Sequence, residues 1–227
     1  MRPEIITFDC YGTLVDWNAG ITGAFREEAR RLGIEGMSDD EILAAYHAAE
    51  PRVQAREYRP YREVLTLLEV EIAALLGWPP PAESSGYLAE SLPSWPAFAD
   101  TNAALERLAA AGYRLGILSN IDDDLLAGTR RHLTVQFDLL VTAQLVQSYK
   151  PSLAHFERAI EAVGGRTDGL LHIAQSYFHD IRPAAGTGIS TVWVNRLGEE
   201  RPADGPVPAA EVRDMRKAAD WVGSISS

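Results

Sequence analysis

Glu4-Ile5-Ile6-Thr7-Phe8-Asp9-Cys10-Tyr11-Gly12-Thr13-Leu14 opens with a short β-rich apolar run, which ends at Asp9 and is broken by Gly12. A carboxylate just past an uninterrupted apolar strand is the arrangement expected at the carboxyl edge of a parallel sheet, where such sheets bind their ligands. The rest of the chain supports this reading. From Asp100 onward helix and strand alternate: helix 102–111 ending at Gly112, strand 115–118, helix 123–132, strand 137–141, helix 153–163, strand 171–174, a helical turn at 183–185 and strand 191–194. This repetition predicts an α/β fold, a doubly wound parallel sheet covered on both faces. Polar residues then follow the strand ends: Asp9, Ser119-Asn120, Lys150, and the segment from Gln175 to Asp180.

Between Trp17 and Trp78 the pattern is helical. Ser38-Asp39-Asp40-Glu41 has the form of a capping box, and Tyr61 to Leu76 carries apolar residues at helical spacing before a stop at Gly77 and the prolines beyond. Gly86 to Leu92 adds a short helix. The expected organisation is a core domain of residues 1–16 and 97–227 with a helical cap, 17–96, inserted after the first strand. Gly198 to Pro208 reads as a surface loop before a final helix.

The 227 residues suffice for one substantial domain carrying an insertion. Their net charge of -11 excludes nucleic acid as an expected partner, because phosphates would be repelled. Cys10 is the only cysteine, so neither an intrachain disulfide nor a cysteine-based zinc cluster can form. Beside a candidate nucleophile it reads as a small buried hydrophobe rather than a thiolate. With no signal-peptide pattern and no long apolar stretch, a cytoplasmic location without membrane contact is expected.

Asp9-Cys10-Tyr11-Gly12-Thr13-Leu14, Leu118-Ser119-Asn120, Lys150-Pro151 and the acidic segment at Asp180 together resemble, in order, the four motifs of the haloacid dehalogenase superfamily. The resemblance spans essentially the whole chain and implies a Rossmann-like core with a cap. It implies that Asp9 is a covalent nucleophile, that Lys150 keeps it ionised, and that Thr13 and Ser119 orient it or hold a substrate carboxylate. Asp180 would anchor Lys150. A carboxylate nucleophile divides one difficult displacement into two easier steps through an ester. Tyr11 decides the branch. Phosphatases of the superfamily carry an acid at this position to protonate the leaving alkoxide, whereas a departing halide needs no proton. The sequence is therefore similar to the (S)-2-haloacid dehalogenase branch, which uses no metal or other cofactor, and a homodimer is the assembly this resemblance implies.

The resemblance is incomplete at Ala174-Gln175-Ser176-Tyr177-Phe178-His179-Asp180, where Tyr177 replaces the asparagine that places the hydrolytic water in that branch. Gln175 or His179 is the expected substitute. Tyr11, Asn120, Gln175 and Tyr177 are taken as substrate-binding candidates. From the cap the family supplies an arginine; Arg52, Arg56, Arg59 and Arg62 are the candidates, with Arg56 and Arg59 preferred because Glu57-Tyr58 follows a similar pattern. Two further reactions fit the motifs: ring opening of a strained imino acid, as in azetidine-2-carboxylate hydrolase, and a magnesium-dependent phosphatase, which Tyr11 opposes. A silent relative that only binds a small acid is the non-enzymatic alternative.

Overall fold

The computed structural model describes residues 2–54, 58–82 and 85–225. Strand β1, Ile5–Phe8, is followed by four helices: α1 Trp17–Leu32, α2 Asp39–Gln54, α3 Tyr61–Leu76 and α4 Tyr87–Ser91. The chain then alternates through α5 Thr101–Ala110, β2 Arg114–Ser119, α6 Asp123–Thr129, β3 Leu139–Thr142, α7 Ala143–Val146, α8 Ala154–Ala162, β4 Leu170–Ala174, α9 Arg182–Gly186, β5 Ser190–Val194, β6 Ala210–Val212 and α10 Met215–Ser224. All strand pairings are parallel, in the order β3-β2-β1-β4-β5-β6.

The alternation of side chains along β1 explains why three of its four residues, Ile5, Ile6 and Phe8, are apolar. Ile6 and Phe8 enter the large cluster that continues into the four inserted helices, while Ile5 enters a separate cluster with Leu118, Val141, Phe156 and Leu170 on the other face. With both faces covered, no polar position is tolerated without a partner. The chain winds from β1 to β3 on one side and returns through β4 on the other. β1 is thus the switch strand, and its carboxyl end opens into the crevice between the two halves.

The inserted helices begin and end where their sequence signals lie. Asp16 caps α1 by accepting from the Ala19 amide at 3.0 Å, and Ser38 and Glu41 exchange the two bonds of a capping box at 3.3 and 2.9 Å. Gly77, at φ 69°, closes α3 in the left-handed conformation. Helix α1 lies directly on the return segment: a β-carbon at Gly20 would sit 2.2 Å from the Trp95 ring.

Two expectations are corrected: the third strand starts at Leu139 rather than Phe137, and helix 123–132 closes as a 3-10 turn at Arg130–His132. Residues 198–208 form the expected loop, and beyond it, before the final helix, the chain adds an edge strand, Ala210–Val212. It lacks an apolar run of its own and forms because β5 offers it a free edge.

Candidate active site

Asp9, Ser119, Lys150 and Asp180 meet at the carboxyl edge of the sheet, beneath a cavity of about 790 Å³, a size usual for small-molecule sites. The centre is the Lys150 ammonium, which donates to Asp9 Oδ1 at 2.9 Å, to Asp180 Oδ1 at 2.6 Å and to the Leu118 carbonyl at 2.9 Å. Lys150 is only 2 % exposed, and its three donors are matched to three acceptors. Its backbone is fixed by Asn120, whose side chain donates to the Lys150 carbonyl at 3.0 Å and accepts from the Lys150 amide at 2.7 Å. The peptide bond to Pro151 is cis.

The second oxygen of Asp9 accepts from Thr13 Oγ1 at 2.9 Å, and Thr13 in turn accepts from the Gln175 amide at 2.9 Å. Gly12 makes the tight turn possible at φ 93°, conformational space that a β-carbon would make strained. Arg196 braces this turn from below: it donates to the Thr13 carbonyl at 2.8 Å, pairs with Asp100 at 3.0 Å and stacks over Phe98 at 3.8 Å.

Burial dominates the electrostatics. It pushes the Asp9 carboxyl above its ordinary value, against the pull of Lys150 and Thr13. The same burial acts on Asp180, but Lys150 and then His172 outweigh it and hold this carboxyl below the usual range. Lys150 is disfavoured by burial, yet the two carboxylates raise it and keep it charged. Burial pushes the Tyr11 phenol well up, and its hydroxyl is bonded to Thr129 Oγ1 at 2.8 Å. Tyr11 therefore lines the cavity as a neutral phenol.

Ser119 Oγ is buried with no hydrogen-bond partner and its residue lines the cavity. A buried hydroxyl without a partner is costly, so this atom has a binding capacity that the free protein leaves unused. On the other side, Gln175 and His179 also line the cavity, and Ser176 Oγ is 3.0 Å from His179 Nδ1. Burial lowers the His179 imidazole, which favours its neutral form.

Two expected site residues are not brought to the centre, and a third, Arg56, lies outside the described residues. Tyr177 packs its ring on Trp193, centroids 5.2 Å apart, and donates its hydroxyl to the Pro206 carbonyl at 2.6 Å. The π-helical turn at Tyr177–Ile181 directs it into the core rather than the cavity. Arg59 is exposed and outside the cavity lining; its described contact is its carbonyl, which accepts from Tyr149. Of the other cap arginines, Arg52 is exposed and Arg62 pairs with Asp124.

The inserted helices instead face the cavity with Leu43, His47 and Glu50 of α2, Trp17 of α1 and Tyr61 of α3. His47 lies against Trp17, ring centroids 5.5 Å apart. The spacing of 43, 47 and 50 is a helical stripe, a signal present in the sequence that marks one face but not what the face meets. Arg196 and Arg213 enter the lining from beyond β5 and β6, where no sequence motif pointed.

Among the described residues no three His, Cys, Asp or Glu side chains converge to hold a metal ion, and no helix is long and apolar enough to cross a membrane.

Comparison with known proteins places these features. Residues 3–207 match the sequence family of haloacid dehalogenase-like hydrolases. An (S)-2-haloacid dehalogenase of Pseudomonas putida is 31% identical, with 98% of this chain and 99% of the relative aligned. The L-2-haloacid dehalogenase of Xanthobacter autotrophicus has the same fold at 19% identity, with a TM-score of 0.84 over 99% of this chain and 100% of that one. Its structure with chloropropionic acid covalently bound superimposes with a TM-score of 0.81, at 19% identity and the same coverage.

Proposed function

The chain belongs to the haloacid dehalogenase-like hydrolases, and from that premise we propose that it hydrolyses small 2-substituted carboxylic acids through an aspartyl ester, as an (S)-2-haloacid dehalogenase that uses no metal. The observation that carries this reading is the Lys150 ammonium held between Asp9 and Asp180, with a neutral phenol at Tyr11 where a leaving alkoxide would need an acid.

Asp9 attacks Cα of the substrate in line; the C–Oδ bond forms as the carbon–halogen bond breaks, and the halide leaves with the bonding pair. The free hydroxyl of Ser119 receives the substrate carboxylate, and Lys150 keeps Asp9 anionic for the attack. Water then adds to the Asp9 carboxyl carbon. Gln175 and His179 hold this water in place of the missing asparagine, and the neutral imidazole of His179 accepts its proton. Collapse breaks the ester C–O bond; the alkoxide takes one of the two water protons and leaves as the 2-hydroxy acid, the other passes through His179 to solvent, and the Asp9 carboxylate is restored. Residues 17–96 act as the cap that closes over this chemistry.

A second reading is favoured by the α2 wall, where Glu50 and His47 line the cavity. A carboxylate there suits a substrate whose leaving group is a protonated ring nitrogen, as in a strained imino acid.

Chloride release from (S)-2-chloropropionate, with and without EDTA, tests the proposal. Release that survives EDTA and is lost in Asp9→Asn is the expected result. Absence of release from chloro- and fluoroacids, with turnover of azetidine-2-carboxylate, would favour the second reading.

A further inference from the structure

We propose that His172 is a positioning residue for the nucleophile, donating a hydrogen bond from inside the sheet to Asp180 and so orienting it against Lys150. The proposal rests on the reading of Asp9 as nucleophile.

His172 stands in the middle of β4, Leu-Leu-His-Ile-Ala, and is wholly buried. An imidazole in an otherwise apolar strand costs desolvation unless both nitrogens are bonded. Both are. Nε2 is 3.0 Å from Asp180 Oδ1 and Nδ1 is 3.0 Å from Thr7 Oγ1. Thr7 is its register partner on β1, so the two side chains share the face of the sheet covered by α8. There the Phe156 ring stands edge-on to the imidazole, centroids 5.4 Å apart. The ionised Asp180 carboxylate can only accept, so the ring proton is on Nε2 and aimed at Asp180, while Nδ1 faces the Thr7 hydroxyl, which also lies 3.4 Å from the Leu171 carbonyl.

His172 Nε2 and Lys150 Nζ meet the same atom, Asp180 Oδ1. Without the imidazole, Asp180 would lose one of its two donors and depend on Lys150, which also holds Asp9. The groups facing His172 are Thr7 from β1, Asp180 after β4, Thr191 from β5, and His155 and Phe156 from α8, with Lys150 beyond Asp180. Burial lowers His155 to about 3, so it stays neutral and brings no competing charge. The contact therefore runs Thr7–His172–Asp180–Lys150–Asp9, from the back of the sheet to the reacting atom.

The test compares the full-length protein with His172→Leu and His172→Gln, whose side-chain amide can donate where Nε2–H does. Carboxyl NMR of protein carrying labelled aspartate reads the titration of Asp180 directly, with no substrate. In His172→Leu the Asp180 titration moves to higher pH, and the acid limb of kcat/KM for chloride release moves with it. His172→Gln returns both toward the native profile. An Asp180 titration unmoved in His172→Leu overturns the proposal, as does a Gln variant no better than Leu in both readouts. Should His172→Leu fail to fold, Thr7→Val and His172→Gln carry the comparison, with a smaller upward shift expected in Thr7→Val and an unmoved titration in Thr7→Val counting against the proposal. If no chloride is released by any form, the dehalogenase reading fails while the NMR still decides the role of His172.

Discussion

Asp122, in the loop after β2, accepts a hydrogen bond from the Tyr61 amide at 2.8 Å, and its other oxygen accepts from the Arg62 amide at 2.9 Å. Helix α3, whose own N-cap Pro60 offers no side-chain acceptor, is thus capped by a carboxylate from the sheet. Ser119 ends β2 and Asn120 opens the same loop, and Tyr61 lines the cavity, so one carboxylate joins the inserted helices to the carboxyl edge of the sheet. Inside the cap, buried Glu69 does likewise for α4, accepting from the Leu88 amide at 2.8 Å.

Asp122→Ala removes this cap. Loss of an N-cap costs about 0.5–2 kcal/mol, read by urea denaturation. Because Tyr61 shifts with the helix start, KM for (S)-2-chloropropionate should rise more than kcat falls. An unchanged midpoint and KM would show that the contact neither stabilises nor positions.

Asp9 and Asp180 should affect stability with opposite signs. The Asp9 carboxyl is raised in the fold, chiefly by burial, so its ionised form is destabilising at neutral pH. Asp9→Asn is therefore expected to be inactive yet at least as stable as the native protein near pH 7. Its advantage should shrink as acid protonates Asp9 in the native protein. A thermal midpoint clearly below native at pH 7 would contradict this.

Asp180 is held below its ordinary 3.8, mainly by Lys150. It stabilises the fold above that value, and the contribution disappears as pH falls through the lower folded value. Asp180→Asn should destabilise at pH 7, with the gap to native closing as pH falls from 3.8 to about 2. Melting curves across pH decide it.

If His179 takes the proton from the hydrolytic water, His179→Ala should slow the second half-reaction more than the first. General-base removal typically costs about 10²–10⁴-fold. Mass spectrometry of protein quenched during turnover should then find Asp9 esterified, and its absence alongside normal turnover would assign the water to another group.

Gly20→Ala and Gly23→Ala separate packing from propensity on one helix. A β-carbon at Gly20 meets the Trp95 ring at 2.2 Å, whereas at Gly23 nothing lies within 4 Å. Overpacking costs about 1–3 kcal/mol, while an open helical glycine gains about 0.5–1 kcal/mol on becoming alanine. Opposite shifts in denaturation midpoint are expected, and equal shifts would refute the close approach.

Asp9 and Ser119 were readable without coordinates because each ends a local apolar run, and a parallel sheet presents such ends on one edge; Lys150 and Asp180, which lie farther from their strands, were readable only from their order with the other motifs. The bounds of α3 followed from residues within a turn of each end, Tyr61 and Gly77. The edge strand at Ala210–Val212 was not readable, since its pairing comes from β5 rather than from its own three residues. Tyr177 was misplaced for a related reason: a π-helical turn changes the direction of a side chain without changing its place in the sequence.

The sequence by itself determined the alternation of the first five strands with their helices, the helical insertion after the first strand, and the places of Asp9 and Ser119 at strand ends. These depend on hydrophobic periodicity and turn chemistry, which act over a few residues. Only the tertiary structure decided that His172 reaches Asp180, that Asp122 caps α3, that Arg196 braces Thr13, and that the cap turns His47 and Glu50 to the cavity. Thr7 and His172 lie 165 residues apart in the chain. Such contacts follow from strand register and from the way the helices pack across the sheet, to which no local pattern answers.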